Sequence, residues 1–267
     1  MEKLASIFAA FILSLIISIN TSQGYLSTCA SDLYAVGTNG KFYKASPPTH
    51  AYDNWIRRAK AIGNGGWNRF KFLFFGPGDA LYAVGINGEF YKASPPTCAN
   101  DNWIRRATKI GNGGWNHFKF LFFGPGDALY AVGYNGKFYK ASPPRNANDN
   151  WIRRATKIGN GGWAKFKFLF FGPDLNLYAV RPGRNQFLTS YEPRNAFDNW
   201  ERRATIIGTG GWHDFKFLFF GPGGYLYAVS NDGSFRKAPH PTYPRDNWTA
   251  RSTKIGTSGW ASFRFLF

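Results

Sequence analysis

The sequence predicts an all-β protein, a five-bladed β-propeller with four antiparallel strands in each blade. Three observations lead to this prediction. An Asp-Asn-Trp segment recurs every 48 or 49 residues, with its tryptophan at Trp55, Trp103, Trp151, Trp200 and Trp248. Each repeat contains four strand-like segments separated by Gly and Pro, and no apolar stripe of helical spacing persists through a repeat. A repeat of this length with four short strands is typical of one propeller blade.

Each repeat places its four strands in a fixed order. The segment Phe-Lys-Phe-Leu-Phe-Phe at 70–75 is nearly all apolar, which predicts an inner strand that lies wholly in the core. A Gly-Pro-Gly turn leads to Leu-Tyr-Ala-Val at 81–84, and an Asn-Gly pair then predicts a hairpin to the third strand. Two prolines end that strand. The fourth strand is predicted near 105–111, where Arg and Lys suit an exposed outer edge.

The phase of the repeats predicts that the chain closes into a ring. The repeats begin at Leu-Tyr-Ala-Val, 33–36, and end at Phe-Arg-Phe-Leu-Phe, 263–267, so the first blade lacks its inner strand. We predict that 263–267 supply this strand by pairing with 33–36. Closure would cover a sheet edge that otherwise invites aggregation. The predicted propeller domain spans residues 33–267.

The N-terminal segment predicts secretion to the extracellular space. Residues 1–24 have the pattern of a signal peptide: Lys3 precedes an apolar run, and small residues stand before the expected cleavage site. A membrane anchor is the alternative, although the run is slightly short for a span. Residues 25–32 form a lead-in to the propeller. No later segment is predicted to cross a membrane, because Lys, Gly or Pro breaks each apolar run.

Charge and cysteine content limit the partners of the protein. The formal net charge of +18 would attract anionic surfaces, and a solvated basic surface is the alternative. Nucleic acid is not an expected partner of a secreted chain. Cys29 and Cys98 could form a disulfide in an oxidising compartment. Neither cysteine has metal-ligand spacing, so we predict no metal and no cofactor.

Nothing in the repeats predicts catalysis. The four histidines share no motif position, and no Ser-His-Asp or Cys-His order is evident. The Asp before Asn-Trp is the one acid that all five repeats share, and a single carboxylate does not provide the pair that glycoside hydrolysis needs. We therefore predict no catalytic residue and no enzyme activity.

The repeated segment D-N-W-x-x-R-A-x-x-I-G-x-G-G-W-x-x-F-K-F-L-F-F, followed by L-Y-A-V, resembles the tachylectin-type five-bladed propeller lectins. The resemblance covers residues 33–267. It implies a secreted protein of innate immunity that binds N-acetylglucosamine and N-acetylgalactosamine on glycans or microbial surfaces. It also implies one site for each blade, where the Gly-Gly-Trp segment of one repeat meets the Asp-Asn-Trp loop of the next.

Five residues of the same types are thereby implied at each sugar site. The residues are Asp53, Asn54, Trp55, Gly66, Trp67, Asp101, Asn102, Trp103, Gly114, Trp115, Asp149, Asn150, Trp151, Gly162, Trp163, Asp198, Asn199, Trp200, Gly211, Trp212, Asp246, Asn247, Trp248, Gly259 and Trp260. When the family's sites are placed on the matching positions of this sequence, Trp67 would face residues 101–103. Trp260 would face residues 53–55 where the two ends of the chain meet. Two motifs depart from the pattern: Ser258 replaces a glycine, and the fourth repeat has a different hairpin and one extra residue.

These residue types suit a sugar. Asp accepts hydrogen bonds from hydroxyls, Asn both donates and accepts, and Trp offers an apolar face with one N–H. Glycine lets backbone N–H groups approach a ligand. The alternative is structural, since Trp packs in cores and Asp forms turns and caps. We expect the Trp after Gly-Gly to pack between blades, and the Trp after Asp-Asn to lie in a loop where function concentrates.

Two other classes of function remain open. One is a protein-interaction propeller, and the other is a salt-sensitive binder of anionic surfaces without sugar specificity. The fifth motif also contains an N-glycosylation sequon, Asn247-Trp248-Thr249. A glycan on Asn247 would block the fifth site, and the alternative is that the sequon is not used.

Overall fold

The computed structural model describes residues 32–267. Within this range, twenty strands form five antiparallel sheets of four strands each, which confirms the predicted all-β fold and the five blades. The predicted signal peptide, the lead-in up to residue 31 and Cys29 lie outside the described residues. Between residues 32 and 267, no helix combines the length and the apolar character needed to cross a membrane.

The strands follow the chain from blade to blade. In chain order they are β1 (Leu33–Val36), β2 (Phe42–Ala45), β3 (Lys60–Gly63), β4 (Phe70–Gly76), β5 (Ala80–Gly85), β6 (Phe90–Ala93), β7 (Thr108–Gly111), β8 (Phe118–Gly124), β9 (Ala128–Gly133), β10 (Phe138–Ala141), β11 (Thr156–Gly159), β12 (Phe168–Phe171), β13 (Leu177–Arg181), β14 (Gln186–Ser190), β15 (Thr205–Thr209), β16 (Phe215–Phe220), β17 (Leu226–Ser230), β18 (Phe235–Ala238), β19 (Thr253–Gly256) and β20 (Phe265–Leu266). Blade 1 consists of β20, β1, β2 and β3. Blade 2 consists of β4 to β7, blade 3 of β8 to β11, blade 4 of β12 to β15 and blade 5 of β16 to β19.

Helical segments are short and connect the strands. One-turn α-helices begin at the Trp of each Asp-Asn-Trp: α1 (Trp55–Arg58), α2 (Trp103–Arg106), α3 (Trp151–Arg154), α4 (Trp200–Arg203) and α5 (Trp248–Arg251). Turns of 3-10 helix begin at the Trp of each Gly-Gly-Trp: Trp67–Arg69, Trp115–His117, Trp163–Lys165, Trp212–Asp214 and Trp260–Ser262. Four more 3-10 turns lie in hairpins: Pro77–Asp79, Pro125–Asp127, Pro182–Arg184 and Pro222–Gly224.

The arginine pairs lie on the α-helices, which corrects the prediction that they lie on the outer strands. Arg105 and Arg106 belong to α2, and the outer strand starts at Thr108. The reason is a helix cap, because the Asn102 side chain accepts a hydrogen bond from the backbone N–H of Arg105 and so starts the turn.

The second strand of each blade is the most buried one. Every residue of β5 is buried, whereas β4 is buried only at Leu73 and Gly76. The prediction that Phe-Lys-Phe-Leu-Phe-Phe lies wholly in the core is therefore wrong. The inner strand has a sheet partner along one edge only, so part of its surface faces the centre of the ring. Phe74 still stacks on Tyr82, with ring centroids 6.0 Å apart.

Aromatic contacts join each blade to the next. Tyr82 of blade 2 packs edge-on against Phe123 of blade 3, with centroids 4.7 Å apart. Equivalent pairs join the other blades in the same way: Tyr34–Phe75, Tyr130–Phe171 and Tyr178–Phe220, at 4.8, 4.8 and 5.0 Å. Such a pair contributes about 0.5–1.5 kcal/mol beyond its buried area. The junction between blades 5 and 1 shares one core cluster, in which Leu33 packs with Tyr227.

The ring closes as the sequence predicts. Strand β20 is the inner strand of blade 1 and pairs with β1, with Ala35 opposite Leu266. Tyr34 and Phe267 exchange two backbone hydrogen bonds of 2.8 and 3.0 Å. The C-terminal segment therefore completes the sheet that the N-terminal strand begins.

Deletion of residues 263–267 should open the ring. The deletion exposes the edge of β1 and the core beneath Leu266, so the melting temperature should fall and the protein should aggregate. Thermal unfolding and size-exclusion chromatography would measure both effects. Arg264→Ala is the control, because it keeps the 2.7 Å hydrogen bond from the residue 264 backbone N–H to Val36. A truncated chain with the parental melting temperature and elution volume would contradict this account of closure.

Candidate functional site

A cleft lies at each junction between blades, and the same two segments form it every time. One is the Gly-Gly-Trp connection from the outer strand of one blade to the inner strand of the next. The other is the Asp-Asn-Trp loop of that next blade, whose number we give to the cleft. The tryptophan pairs are Trp260–Trp55 in cleft 1, Trp67–Trp103 in cleft 2, Trp115–Trp151 in cleft 3, Trp163–Trp200 in cleft 4 and Trp212–Trp248 in cleft 5. The structure thus brings together the segments that the sequence resemblance pairs.

The two tryptophans contact each other at the floor of each cleft. Their ring centroids are 5.5, 5.5, 5.5, 5.4 and 5.7 Å apart in clefts 1 to 5. All ten rings are buried, with at most 6% of any residue exposed. The expectation that the two types of Trp divide between packing and an accessible loop is therefore wrong. The Trp after Asp-Asn also uses its indole N–H internally, as Trp103 Nε1 donates to the Ser94 carbonyl at 2.9 Å.

The Trp after Gly-Gly lies directly on the backbone of the preceding strand. A Cβ on Gly63 would stand only 2.0 Å from Trp67 Nε1, so only glycine permits this packing. The same close approach recurs between Gly111 and Trp115, at 2.1 Å. Among the hydrogen bonds of residues 32–267, none engages the indole N–H of Trp67.

The two glycines leave one wall of the cleft open. Gly66 has a φ of +82°, a conformation that favours glycine. A Cβ on Gly65 or Gly66 would meet no atom within 4 Å, so both residues border open space. Their backbone N–H groups have no partner in the part of the chain that the structure describes. In cleft 1, Ser258 takes the place of Gly65. The φ of Ser258 is not positive, so its backbone conformation accommodates a side chain.

The Asp of each motif forms a bidentate ion pair with the Arg five residues later. In cleft 2, Arg106 donates to Asp101 from Nη2 at 2.7 Å and from Nε at 2.9 Å. The same guanidinium donates to the backbone carbonyls of Ser94 and Pro95, which ties the loop to the end of the third strand. The equivalent pairs are Arg58–Asp53, Arg154–Asp149, Arg203–Asp198 and Arg251–Asp246, at 2.8, 2.8, 3.0 and 2.6 Å. Each Asp therefore keeps only its remaining lone pairs for a ligand.

In clefts 2 to 5, the Asn of the motif caps the following helix through its side-chain oxygen, which leaves its Nδ2 group for the cleft. Asn102 Oδ1 accepts the hydrogen bond of the Arg105 N–H at 3.3 Å, as the cap of α2. Its Nδ2 group has no partner within residues 32–267 and lies on an exposed residue that lines the cleft. Asn247 is arranged in the same way and accepts from the Ala250 N–H at 3.1 Å. The Nδ2 atom that an N-linked glycan would occupy therefore lies on an exposed residue.

The clefts differ in size and at their rims. Clefts 1, 2, 3 and 5 enclose about 390, 710, 530 and 360 Å³, which suits small ligands. The residue before the motif Asp changes from cleft to cleft: Tyr52, Asn100, Asn148, Phe197 and Arg245 in clefts 1 to 5. In cleft 2, Asn64 Nδ2 donates across to Asn100 at 2.8 Å, and cleft 3 repeats this bond. Tyr52 and Phe197 are 86% and 89% exposed.

Cleft 4 is crossed by an ion-pair bridge that sequence reasoning did not find. Glu201 stands where clefts 1 to 3 have Ile, and its carboxylate pairs with Lys165 and Arg181. Lys165 comes from the opposite wall, and its Nζ would be 3.9 Å from a Cβ on Gly162. The bridge therefore passes over the glycine wall. The sequence signal was the Glu after Trp in the fourth repeat alone.

Cysteine and metal-binding groups contribute little to the clefts. Cys98 is exposed in the loop that precedes the cleft 2 motif, and the partner that the sequence suggested lies outside the described residues. Between residues 32 and 267, no group of three His, Cys, Asp or Glu side chains is placed to hold a metal ion.

Five clefts, each formed by the same two segments, define a repeat propeller with one candidate binding site at each junction between blades. The family model described as Tachylectin matches residues 21–157 and again residues 141–267. The chain therefore belongs to the tachylectin family.

One solved structure agrees closely with this fold. It is the structure of a symmetrical protein whose de novo evolutionary emergence was studied, and it is 35% identical to this chain. The match has a TM-score of 0.80 and covers 88% of this chain and 97% of that chain. A luciferin-regenerating enzyme and a putative gluconolactonase are more distant, both at 12% identity, with TM-scores of 0.48 and 0.46. They are matched over 88% and 89% of this chain and over 76% and 82% of their own.

The five Asp–Arg pairs predict a loss of stability in acid. Hydrogen bonds from the arginines lower the pKa of each Asp below its ordinary value. The pairs therefore stabilise the fold fully above about pH 4, where an unfolded Asp is ionised, and this contribution disappears as the pH falls through the lowered pKa. The melting temperature should decrease below about pH 4.

Asp101→Asn tests the source of this acid sensitivity. The variant should be less stable than the parent at neutral pH and should lose less stability on acidification. Glu89, whose pKa Tyr91 and Lys109 lower to about 2, titrates in the parent and the variant alike. Melting curves recorded across the acid range would decide the point, and two parallel pH profiles would contradict a role for the Asp101–Arg106 pair.

Proposed function

We propose that the protein is a non-catalytic, multivalent lectin that binds N-acetylated hexosamines in the clefts between its blades. One observation carries the proposal: the same two tryptophans, the motif Asn and the Asp–Arg pair recur at every junction, including the one that closes the ring. Membership of the tachylectin family supports a lectin. The motif resemblance supports N-acetylglucosamine and N-acetylgalactosamine as the ligands.

The unpaired groups of each cleft suit an acetamido sugar. In cleft 2, the N–H groups of Gly65 and Gly66 and the Nδ2 group of Asn102 can donate to an acetamide carbonyl or to hydroxyls. Asp101 can accept a hydroxyl or acetamide proton through its free lone pairs. Phe70 and Ile104 line the same cleft and offer apolar contact to a methyl group. The buried tryptophans would support these groups from below and present their edges to the sugar.

Several weak sites on one rigid ring favour dense glycans. A monosaccharide has few atoms to contact the protein, so each cleft should bind weakly. Simultaneous binding through several clefts can raise the apparent affinity by about 10²-fold or more. This favours surfaces with many copies of one sugar, such as microbial envelopes. The signal-like N-terminal segment supports secretion, and innate immune recognition is the role that fits both features.

A second candidate function is salt-sensitive binding to anionic surfaces, which the net charge of +18 favours. Exposed charges are screened over about 8 Å at physiological ionic strength, so such binding should fade as salt rises. Binding of a neutral sugar should not. The test is binding to bacteria at rising salt and with added free sugar. If salt abolishes the binding and free sugar does not change it, the second function is favoured over the lectin. A protein-interaction role would show neither response.

Calorimetric titration with N-acetylglucosamine tests the lectin and the position of its sites together. The parent should show more than one site for each chain. Gly113→Val places a side chain in the open space of cleft 3, where a Cβ meets no atom within 4 Å. This variant should lose one site without a change in melting temperature. Thr253→Val adds the same side chain on an exposed outer strand and should keep every site. No heat with the parent and no glycan-array signal would refute the lectin proposal.

Glu201→Ile tests whether the ion-pair bridge closes cleft 4. The substitution introduces the residue of clefts 1 to 3 and removes the ion pairs of Glu201 with Lys165 and Arg181. The number of N-acetylglucosamine sites should rise by one for each chain. Lys165→Ala removes the contact from the opposite wall and should have the same effect. If both variants bind the parental number of sugars, the bridge does not control access to cleft 4.

A further inference from the structure

We propose that cleft 5 binds an N-acetylated sugar that carries an anionic group, and that Arg245 recognises this group. The anion would be a carboxylate, a sulfate ester or a phosphate ester on the sugar or next to it. The inference rests on the proposed lectin function, which places the sugar between the glycine wall and the Asp-Asn-Trp loop.

The position of Arg245 in the repeat places it on the cleft. It is the residue before the motif Asp, and Asn100 and Asn148 stand there in clefts 2 and 3. Both asparagines line their clefts, and Asn64 reaches Asn100 from the opposite wall at 2.8 Å. Arg245 likewise lines cleft 5. The position before the motif Asp therefore lines the cleft in clefts 2, 3 and 5, and in cleft 5 it carries the Arg245 guanidinium.

No protein group neutralises Arg245 in the described structure. The opposite wall carries Thr209, whose backbone N–H and hydroxyl both donate to the Pro244 carbonyl, at 3.0 and 2.9 Å. Among residues 32–267, no hydrogen bond or ion pair involves the Arg245 side chain. The adjacent Asp246 is already held by Arg251 at 2.6 Å, and its side chain is only 6% exposed. Asp214, on the connecting segment of the opposite wall, lies 3.2 Å from His213 Nε2. The Arg245 guanidinium therefore offers its N–H donors to a ligand.

A guanidinium suits an oxyanion for geometric reasons. It is planar, presents five N–H donors, stays protonated, and can bind two oxygens of one carboxylate, sulfate or phosphate at once. Thr249 also lines cleft 5 and adds a hydroxyl group. Clefts 1 to 4 have Tyr, Asn, Asn and Phe at this position, so none of them carries a charge there. Because Arg245 is exposed, we expect about a fivefold preference for the anionic sugar at low salt, which corresponds to about 1 kcal/mol.

Two exchanges between clefts test the proposal. Arg245→Asn gives cleft 5 the residue of clefts 2 and 3, and Asn100→Arg gives cleft 2 the residue of cleft 5. The probes are N-acetylglucosamine, its 6-sulfate and 6-phosphate esters, and N-acetylmuramic acid, which carries a carboxylate on its 3-O substituent. Protein made in bacteria keeps Asn247 free of a host glycan. Calorimetry counts the sites, and the indole N–H resonance of Trp212 reports binding in cleft 5.

The parent should bind one anionic sugar about fivefold more tightly than N-acetylglucosamine in cleft 5 at low salt. Arg245→Asn should abolish this preference and keep the affinity for N-acetylglucosamine, whereas Asn100→Arg should create a second tight site. The probe that gains most identifies the anion as a sulfate, a phosphate or a carboxylate. An unchanged preference in Arg245→Asn would overturn the inference, as would a parent that binds neutral and anionic sugars equally. A parent that binds none of the probes would instead refute the lectin function itself.

Discussion

Contact between two tryptophans from neighbouring blades is the interaction on which the rest of the structure depends. Trp67 packs on the backbone of Gly63 in one blade and against Trp103 of the next, with the two rings 5.5 Å apart. Truncation of such a buried Trp typically costs about 3–5 kcal/mol, so five copies account for much of the cohesion between blades. The same pair forms the floor of the cleft. Blade association and the candidate binding site therefore depend on one set of side chains, and neither can change without the other.

The polar residues of the motif use different atoms for the structure of the loop and for the proposed sugar site. Asn102 caps a helix through Oδ1 and presents Nδ2 to the cleft. Asp101 is held by Arg106, whose side chain is 36% exposed, so the pair contributes modestly to stability and mainly fixes the position of the loop. A carboxylate that is already oriented by its Arg loses little freedom when a sugar binds. The repeated segment thus supports the blade and would also form the wall of a preorganised site in the proposed lectin.

The ring has a constant interior and a variable rim, and packing explains the difference. At the floor there is no spare space, since a single Cβ on Gly63 would overlap the indole of Trp67. At the rim, side chains such as Tyr52 and Phe197 are almost fully exposed, so their replacement disturbs no packing. Five nearly identical backbones can therefore carry five different rims. Glu201 in cleft 4 and Arg245 in cleft 5 differ from their counterparts in charge as well as in shape, which makes the ring an array of related but unequal sites.

Local patterns in the sequence determined the architecture, and contacts between distant residues decided the details of the clefts. The repeat of 48 or 49 residues, the order of apolar segments and the Asn-Gly turns were enough to predict five blades and the pairing of 263–267 with 33–36. Each of these signals is contained within one repeat or in its phase. The tertiary structure alone decided that both tryptophans are buried and that the second strand is the most buried. It also decided that Lys165 meets Glu201 across cleft 4. Burial and ion pairing depend on which repeats pack together and at what distance, and no pattern within a single repeat contains that information.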